Sequence, residues 1–344
     1  MVNILKLPPL KTEGIRWEER REEIKKILSL EEYGEFPPAR SPRVEVVRKD
    51  AIAYAGKAVE EELIFTLENN GKSFSFPAHL LYPNDGKQHP FFVFINFEAQ
   101  VPNKRYPAEE IIDNGFGVLS FCHNDISIDK NEFGTGLERL FLEGERSATC
   151  FGKITLWAYA MSRALDYLLE RNLAKKNKIA AVGHSRLGKT ALWAGANDER
   201  FAFVISNDSG CSGAALARGT TGETVKNIVD RFPYWFCPNY FRFAGAEEEM
   251  PFDQHFLLAL VAPRTLIVGA ADLDTWADTL NQYLAVKAAL PAFELYQKGG
   301  GFEDETPQTG KKYGKDGAFF RERKGTHYLG REDWNYYMEI MKYD

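Results

Sequence analysis

The segment from Lys178 to Gly195, KIAAVGHSRLGKTALWAG, constrains the fold of this chain more than any other. The apolar run from Ile179 to Val182 predicts a strand, Gly183-His184-Ser185 predicts a sharp turn, and the apolar spacing after Arg186 predicts a helix. A serine on such an elbow exposes its hydroxyl, and the helix N-terminus behind it favours developing negative charge. Ser185 is therefore a candidate nucleophile. The alternative is a serine that only caps the helix.

The position two residues after Ser185 departs from the usual elbow. That position is ordinarily glycine, whereas this chain has Leu187 there and Gly188 next. The departure argues against a generic lipase.

Strands alternate with helices through the second half of the chain, a pattern typical of α/β proteins. We predict an α/β-hydrolase fold, in which a doubly wound, mixed but mostly parallel sheet lies inside a three-layer αβα sandwich. A chain of 344 residues with 44% apolar residues can bury a large core, and we expect one domain over residues 1–344. Within this domain, an N-terminal helix and an antiparallel β entry (1–88) precede the catalytic core (89–344).

Several segments are assigned from their patterns. Ile15 to Leu30 reads as an amphipathic helix, which we expect to pack on the edge of the sheet. The region from Val44 to Leu81 reads as antiparallel strands, and Pro90 to Phe97 reads as a central strand buried on both faces. Phe293 to Gln297 is predicted as the last strand, followed by a Gly/Lys-rich loop from Gly299 to Gly325.

Two irregular segments are candidates for shaping a site. Asn124 to Glu145 is a long polar insertion of the kind that often does so. Arg218 to Pro251 is rich in loops and aromatic residues, and it forms either a rim over a pocket or a satellite core under a long loop.

Charge and composition limit the partners. A formal net charge of -6 without a Lys/Arg block argues against nucleic acid or an anionic membrane and favours a small substrate. No run is long enough to span a bilayer and no signal peptide is evident, so we expect a cytoplasmic location as written, or secretion if a signal was removed. Four widely spaced cysteines are interpreted as reduced, mostly buried thiols, and neither a metal site nor a cofactor is expected.

A catalytic base is expected after the last strand, because the chain order serine, acid, histidine is that of the α/β-hydrolases. Of the six histidines only His327 meets this condition. His184 adjoins Ser185, but we expect its side chain to point away and to have a structural role beneath the elbow.

The acid that orients the base has several candidates. The loop after the second strand beyond the elbow helix offers Asp272, Asp274 and Asp278, and Asp208 lies one strand earlier. The pattern favours Asp274, and the alternative is that all four are solvated loop carboxylates.

With these residues assigned, the chain resembles the glucuronoyl esterases of carbohydrate esterase family 15 and their bacterial relatives often labelled acetyl xylan esterases. The resemblance covers nearly the whole chain, beginning with WEERREEIKKILSLEEYGEFP and continuing with FGKITLWAYAMSRALDYLL before the elbow. Its most specific blocks are, in order, GHSRLGK, NDSGCSGAAL, FPYWFCPNYF, PFDQHFLLALVAPR and DTWAD. The elbow of this family is G-x-S-R-x-G-K, which accounts for Leu187.

The resemblance implies a role for each matching residue. Ser185 is the implied nucleophile, His327 the base, and Arg186 the donor to the oxyanion through its side chain and its backbone N–H. Lys189 matches a lysine that contacts a sugar hydroxyl, although a helix lysine is ordinarily just solvated. Trp276 matches a tryptophan that borders the uronic acid.

The family places its acid in two ways. Some members have Glu at the position of Asp208, and some bacterial ones have Asp at the position of Asp274. This chain has a carboxylate at both positions. Since Asp at 208 is one methylene shorter than Glu, we expect Asp274 to be the acid and Asp208 to be an alternative or auxiliary one.

The implied function is that of a metal-independent serine esterase acting on plant cell-wall carbohydrate. The expected substrate is a small-molecule or oligosaccharide ester of glucuronic or 4-O-methylglucuronic acid. The alternative activity is deacetylation of xylo-oligosaccharides, and the alternative outside the enzymes is a carbohydrate-binding pseudoenzyme.

Overall fold

One sheet of ten strands organises the computed structural model, which describes residues 6–343. The strands lie in the order β1-β2-β3-β5-β4-β6-β7-β8-β10-β9. Neighbours from β5 to β10 are parallel, whereas β1, β2, β3 and β9 pair antiparallel. The bounds are β1 Arg43–Ala53, β2 Ala58–Asn69, β3 Lys72–Pro83, β4 His89–Asn96, β5 Gly117–Cys122, β6 Ala174–His184, β7 Phe203–Asn207, β8 Thr265–Ala271, β9 Lys312–Tyr313 and β10 Ala318–Arg323.

Helices cover both faces of the sheet, which gives the predicted three layers. One apolar cluster packs α1, α4, α5, α7 and α8 on one face, and a second packs α2 and α9 on the other. The helices are α1 Trp17–Leu28, α2 Ala108–Asp113, α3 His123–Ile126, α4 Lys153–Arg171, α5 Arg186–Asn197, α6 Val225–Arg231, α7 His255–Ala259, α8 Thr279–Glu294 and α9 Arg331–Tyr343.

The central strands are buried on both sides, as their continuous apolar runs predict. Every residue of β5, β7 and β8 is buried, and only Pro90 of β4 is partly exposed. The antiparallel entry is also confirmed, with β2 and β3 joined by the turn at Asn70 and Gly71. The catalytic edge of such a sheet is where the parallel strands end.

The N-terminal helix is confirmed, but its expected position on the edge of the sheet is wrong. Helix α1 lies against α7, where the Arg20 guanidinium packs over the Phe256 ring and Arg21 donates to the Leu260 carbonyl at 3.0 Å. A π-helical turn, Ser29–Tyr33, continues it to Gly34. The helix therefore adds to the outer helical layer.

The prediction of Phe293 to Gln297 as the last strand is wrong. Helix α8 instead continues through Pro291 to Glu294, so the first two of these residues are helical. The last long strand is instead β10, inside the segment predicted as a Gly/Lys-rich loop. Its Ala318 and Phe320 face the core, and the charged residues that follow them hid this alternation in the sequence.

Other features follow the sequence more closely. All four cysteines are free thiols, and Cys122, Cys211 and Cys237 are buried. None of the helices within residues 6–343 combines the length and the apolar character needed to cross a bilayer. A single sheet includes strands of both the N-terminal segment and the core, which supports one domain. The single domain, with its parts at 1–88 and 89–344, stays a prediction.

Candidate active site

Ser185 lies on a strained turn between β6 and α5. Its backbone is left-handed, with φ 58° and ψ -129°, and its N–H donates to the Asn207 carbonyl at 2.8 Å. A Cβ at Gly183 would lie 2.0 Å from the Leu187 carbonyl oxygen, so only glycine fits there. The Ser185 side chain makes no capping hydrogen bond to α5, and the alternative of a simple capping serine is therefore not observed.

His327 follows β10 and pairs with Asp274. Its Nδ1 lies 2.6 Å from the Asp274 Oδ2, and Asp274 is buried while the imidazole is partly exposed. The other carboxylate oxygen of Asp274 accepts from the Ala277 N–H at 3.4 Å, in the turn that follows β8. Because a carboxylate can only accept here, Nδ1 carries the proton and Nε2 is left as the acceptor.

Asp208 is also close to this pair, but it makes different contacts. One oxygen each of Asp208 and Asp274 and a ring nitrogen of His327 lie within 4.8 Å of one another. The Asp208 Oδ2 accepts from the Tyr328 N–H at 3.4 Å and lies 3.5 Å from the Arg323 Nη2. Burial and the Asp274 charge raise the pKa of Asp208 well above its usual value, against the Arg323 charge, which lowers it.

The other two aspartates of the loop after β8 have structural contacts. Asp272 accepts from the Gly325 N–H at 2.8 Å and so holds the segment that precedes His327. Asp278 caps α8, accepting from the Asn281 N–H at 3.1 Å and from the Thr221 N–H at 2.7 Å. These contacts engage both carboxylates away from the imidazole.

Arg186 begins α5 and extends its side chain along the cavity wall. Its guanidinium packs over the rings of Trp235 at 4.6 Å, Phe232 at 5.3 Å and Phe97 at 5.7 Å from each centroid. Its Nη1 donates to the Asp129 Oδ2. The side chain is thus fixed beside Ser185 rather than free in solvent.

Lys189 is buried, which overturns its alternative reading as a solvated helix lysine. Its Nζ donates to the Cys211 carbonyl at 2.5 Å and to the Ser209 carbonyl. Burial lowers the pKa of Lys189, an effect that the Glu223 charge opposes. An ammonium has three N–H donors, so one is left for a ligand in the cavity that Lys189 lines.

The residues that the sequence assigns to the site line one cavity of about 340 Å³, whereas the other two acid candidates, Asp272 and Asp278, do not. Trp276 lines this cavity and is half exposed. Glu223 also lines it and is buried, although no sequence pattern pointed to this residue. The aromatic segment contributes to both of its predicted structures, since Phe232 and Trp235 line the cavity while Tyr240 is in the core. The full lining is Ser185, Arg186, Lys189, Asp208, Ser209, Gly210, Glu223, Arg231, Phe232, Trp235, Asp274, Trp276, Ala277 and His327.

His184 is buried beside the elbow, in keeping with the structural role expected of it, and its ring also packs against that of the candidate base. Its ring centroid is 4.5 Å from that of His327, and its Nδ1 donates to the Asn207 Oδ1 at 2.6 Å. Burial and the neighbouring His327 lower the pKa of His184 to about 3, so it is neutral and does not repel a protonated His327. The position of His184 in the turn could not predict the contact with His327, because the direction of its side chain depends on the hydrogen bond to Asn207 in β7.

One group of residues bears on the expectation that the protein has no metal site, which stays a prediction. Asp208, Asp274 and His327 form a group of three whose atoms could surround an ion. They are separated by more than 50 residues each in the sequence, so no local spacing revealed them. The His327 Nδ1 proton already binds Asp274, so that nitrogen has no lone pair for a metal in this arrangement.

Comparison with known proteins identifies relatives of the whole chain. Residues 65–297 match the family described as "Glucuronyl esterase, fungi". The chain is 30% identical to carbohydrate esterase MZ0003 from an unknown prokaryotic organism, an alignment that covers 96% of this chain and 85% of that protein. It is 28% identical to the 4-O-methyl-glucuronoyl methylesterase of Podospora anserina, covering 78% of this chain and 54% of that enzyme.

Solved structures show the same fold. A glucuronoyl esterase from Solibacter usitatus superposes with a TM-score of 0.90 and 30% identity, covering 98% of this chain and 97% of that one. A promiscuous CE15 esterase from a marine bacterial metagenome superposes with a TM-score of 0.88 and 28% identity, covering 98% and 96%. The fold is therefore the α/β-hydrolase fold. The chain belongs to the glucuronoyl esterases, carbohydrate esterase family 15, a family of carboxylic ester hydrolases.

Proposed function

We propose that this protein hydrolyses esters of glucuronic or 4-O-methylglucuronic acid, with Ser185 as nucleophile, His327 as base and Asp274 as orienting acid. The observation that carries the proposal is the contact of 2.6 Å between His327 and Asp274, in the cavity that the strained elbow serine lines. The names of the relatives support the substrate class, since several are 4-O-methyl-glucuronoyl methylesterases.

The reaction follows from which nitrogen of His327 is free. With Nδ1 bound to Asp274, Nε2 takes the Ser185 proton as Oγ attacks the ester carbonyl, and then returns it to the leaving alcohol. The Arg186 guanidinium and the backbone N–H groups at the start of α5 stabilise the negative oxygen of the tetrahedral intermediate. Water, activated by the same nitrogen, releases the acid from Ser185.

We assign recognition of a sugar ring to Lys189, Glu223 and Trp276, which line the same cavity. The remaining N–H of Lys189 donates to a hydroxyl, and the carboxylate of Glu223 is a suitable acceptor for a second one. The exposed face of Trp276 gives the ring an apolar surface on which to stack. At about 340 Å³ the cavity is at the small end of ligand pockets, as a single uronate ring requires.

Hydrolysis of methyl glucuronate and of acetylated xylo-oligosaccharide, measured side by side, tests the proposal. We expect methyl glucuronate to be cleaved with the higher kcat/KM and Ser185→Ala to abolish the reaction. A preference for the acetylated substrate would instead assign the protein to the deacetylases. Binding without turnover of either ester would identify a pseudoenzyme and contradict the proposal.

A further inference from the structure

Asp129 lies in the polar insertion that joins β5 to α4, and its side chain contacts two residues that line the active-site cavity. Its side chain is only 13% exposed. Its Oδ1 accepts from the Trp235 Nε1 at 2.6 Å, and its Oδ2 accepts from the Arg186 Nη1. The carboxylate therefore joins the guanidinium of the residue after Ser185 to one of the rings that pack against that guanidinium.

The insertion itself is anchored around this residue. The backbone carbonyl of Asp129 accepts from the Tyr234 hydroxyl at 3.0 Å, and its N–H donates to the Asn124 Oδ1 at 2.9 Å. An ion pair between partners fixed on both sides loses little side-chain entropy when it forms, unlike an ordinary surface pair. Asp129 is thus a rigid support and not a mobile surface acid.

Electrostatics keep Asp129 charged. Burial raises its pKa, but nearby His123, Arg186 and Trp235 lower it more, and the pKa falls to about 2. The His123 Nε2 lies 3.8 Å from the Oδ2, close enough to act through its charge when protonated. The carboxylate is therefore ionised throughout the neutral range.

The pairing uses only part of the Arg186 fork. The Arg186 Nε is buried and has no hydrogen-bond partner among the described residues. An arginine with one Nη bound to a fixed carboxylate cannot rotate its plane freely, so its remaining donors point in a set direction. Because Arg186 lines the same cavity as Ser185, its Nη2, which is not paired with Asp129, is the donor left for the substrate, whereas the buried Nε is not.

We propose that Asp129 is a positioning residue that holds the Arg186 guanidinium in the orientation required to stabilise the oxyanion. The inference rests on the proposed function, in which Arg186 is the oxyanion donor. Asp129 does not contact the substrate; it acts through Arg186, and Trp235 completes the support by binding the other carboxylate oxygen.

Steady-state kinetics of Asp129→Asn test this role. The oxyanion exists only in the transition state, so we expect kcat to fall about 10- to 100-fold with little change in KM. Asp129→Glu should recover part of the loss because it restores the charge. Asp125→Asn makes the same charge change four residues earlier, outside the cavity lining, and should retain kcat.

A double-mutant cycle separates positioning from general structural support. If Asp129 acts through Arg186, then Asp129→Asn should cost little in the Arg186→Ala background, whereas independent losses would multiply. A wild-type kcat in Asp129→Asn, or multiplicative losses in the double variant, would overturn the inference. Should Asp129→Asn fail to fold, Trp235→Phe removes one donor to Asp129 and is tested in the same cycle with the same criteria.

The proposed function is checked independently by Ser185→Ala. If Ser185→Ala retains activity, the serine mechanism is wrong whatever Asp129 does. If Ser185→Ala is inactive and Asp129→Asn is normal, only the positioning role fails.

Discussion

The loops after β7 and β8 each place one aspartate near His327, but the two carboxylates have different surroundings. Asp274, after β8, bonds directly to the imidazole at 2.6 Å. Asp208, after β7, is buried beside Arg323, at 3.5 Å, and one of its oxygens has no hydrogen-bond partner among the described residues. The first is arranged to act on the base, whereas the second contacts Arg323 and the Tyr328 N–H.

Arg323 explains much of this difference. Its Nε donates to both oxygens of Asp333, at 2.9 and 3.0 Å, so Asp208 shares a cation that is already paired. The same guanidinium donates to the Thr326 carbonyl at 3.1 Å and thereby also holds the turn that carries His327. Two carboxylates near one histidine are therefore not equivalent, since the partner of each decides how much charge it presents to the imidazole.

The largest effect should come from removing the nucleophile or the base itself. We expect Ser185→Ala and His327→Ala each to lower kcat by about 10⁶, because triad members act as a unit. Melting temperatures should remain close to that of the wild type. Turnover near the wild-type rate in either folded variant would remove the basis for comparing the acids.

Removing the Asp274 charge should have the next largest effect. Asp274→Asn keeps the shape of the side chain but favours the wrong tautomer of His327, and this costs about 10⁴ in kcat. Hydrolysis of methyl glucuronate by the purified variant measures it. A loss of less than about tenfold would show that another group orients the base.

Asp208→Asn should reduce kcat by about tenfold or less, since no hydrogen bond joins Asp208 to His327 in this structure.

The effect of Asp208→Asn on stability should depend on pH. Because the folded pKa of Asp208 is raised above its unfolded value, its contribution to stability is greatest at low pH and declines as the pH rises toward the folded pKa. Asparagine does not titrate, so the melting temperature of Asp208→Asn should gain on the wild type between pH 4 and pH 7, about the range above the unfolded pKa. If the melting temperature of the variant instead fell relative to that of the wild type as the pH rose, the raised pKa of Asp208 would be contradicted.

The smallest effect is expected from chelators. The three potential metal ligands are also the candidate base and the two acids, and the His327 Nδ1 already donates to Asp274. EDTA should therefore leave kcat unchanged in a protein purified without added metal. A loss of kcat that added zinc restores would show that Asp208 and Asp274 bind a metal ion that the reaction needs, and it would contradict the pairing of Asp274 with a protonated His327 Nδ1.

Much of the fold could be predicted because the central strands are apolar on both faces and read as continuous runs. The last strand could not, since β10 carries Arg321, Glu322 and Arg323, and only two of its buried positions, Ala318 and Phe320, are apolar. Helix α8 also runs into the segment predicted as that strand, continuing through Pro291 to Glu294.

The site residues that follow from the order of elements along the chain could be predicted. The contacts that depend on the direction of a side chain could not. Ser185 and His327 follow from the order of elements, and the structure brings both to one cavity. The partners of Asp208 and Asp274 depend on which atoms their neighbours present, and the contact between Asp129 and Arg186 joins residues 57 positions apart. Glu223 lies in a loop whose sequence carries no periodic signal, so only the folded chain places it in the cavity.

The kcat of Asp274→Asn, Asp208→Asn and the double variant, measured together on methyl glucuronate, tests most directly the claim that Asp274 orients the base. The account predicts that Asp274→Asn carries nearly the whole loss and that the double variant is little worse. Two mild single variants with a severe double variant would show that the acids share the task. If Asp208→Asn proves the more damaging single change, the claim is contradicted and the acid after β7 is the orienting one.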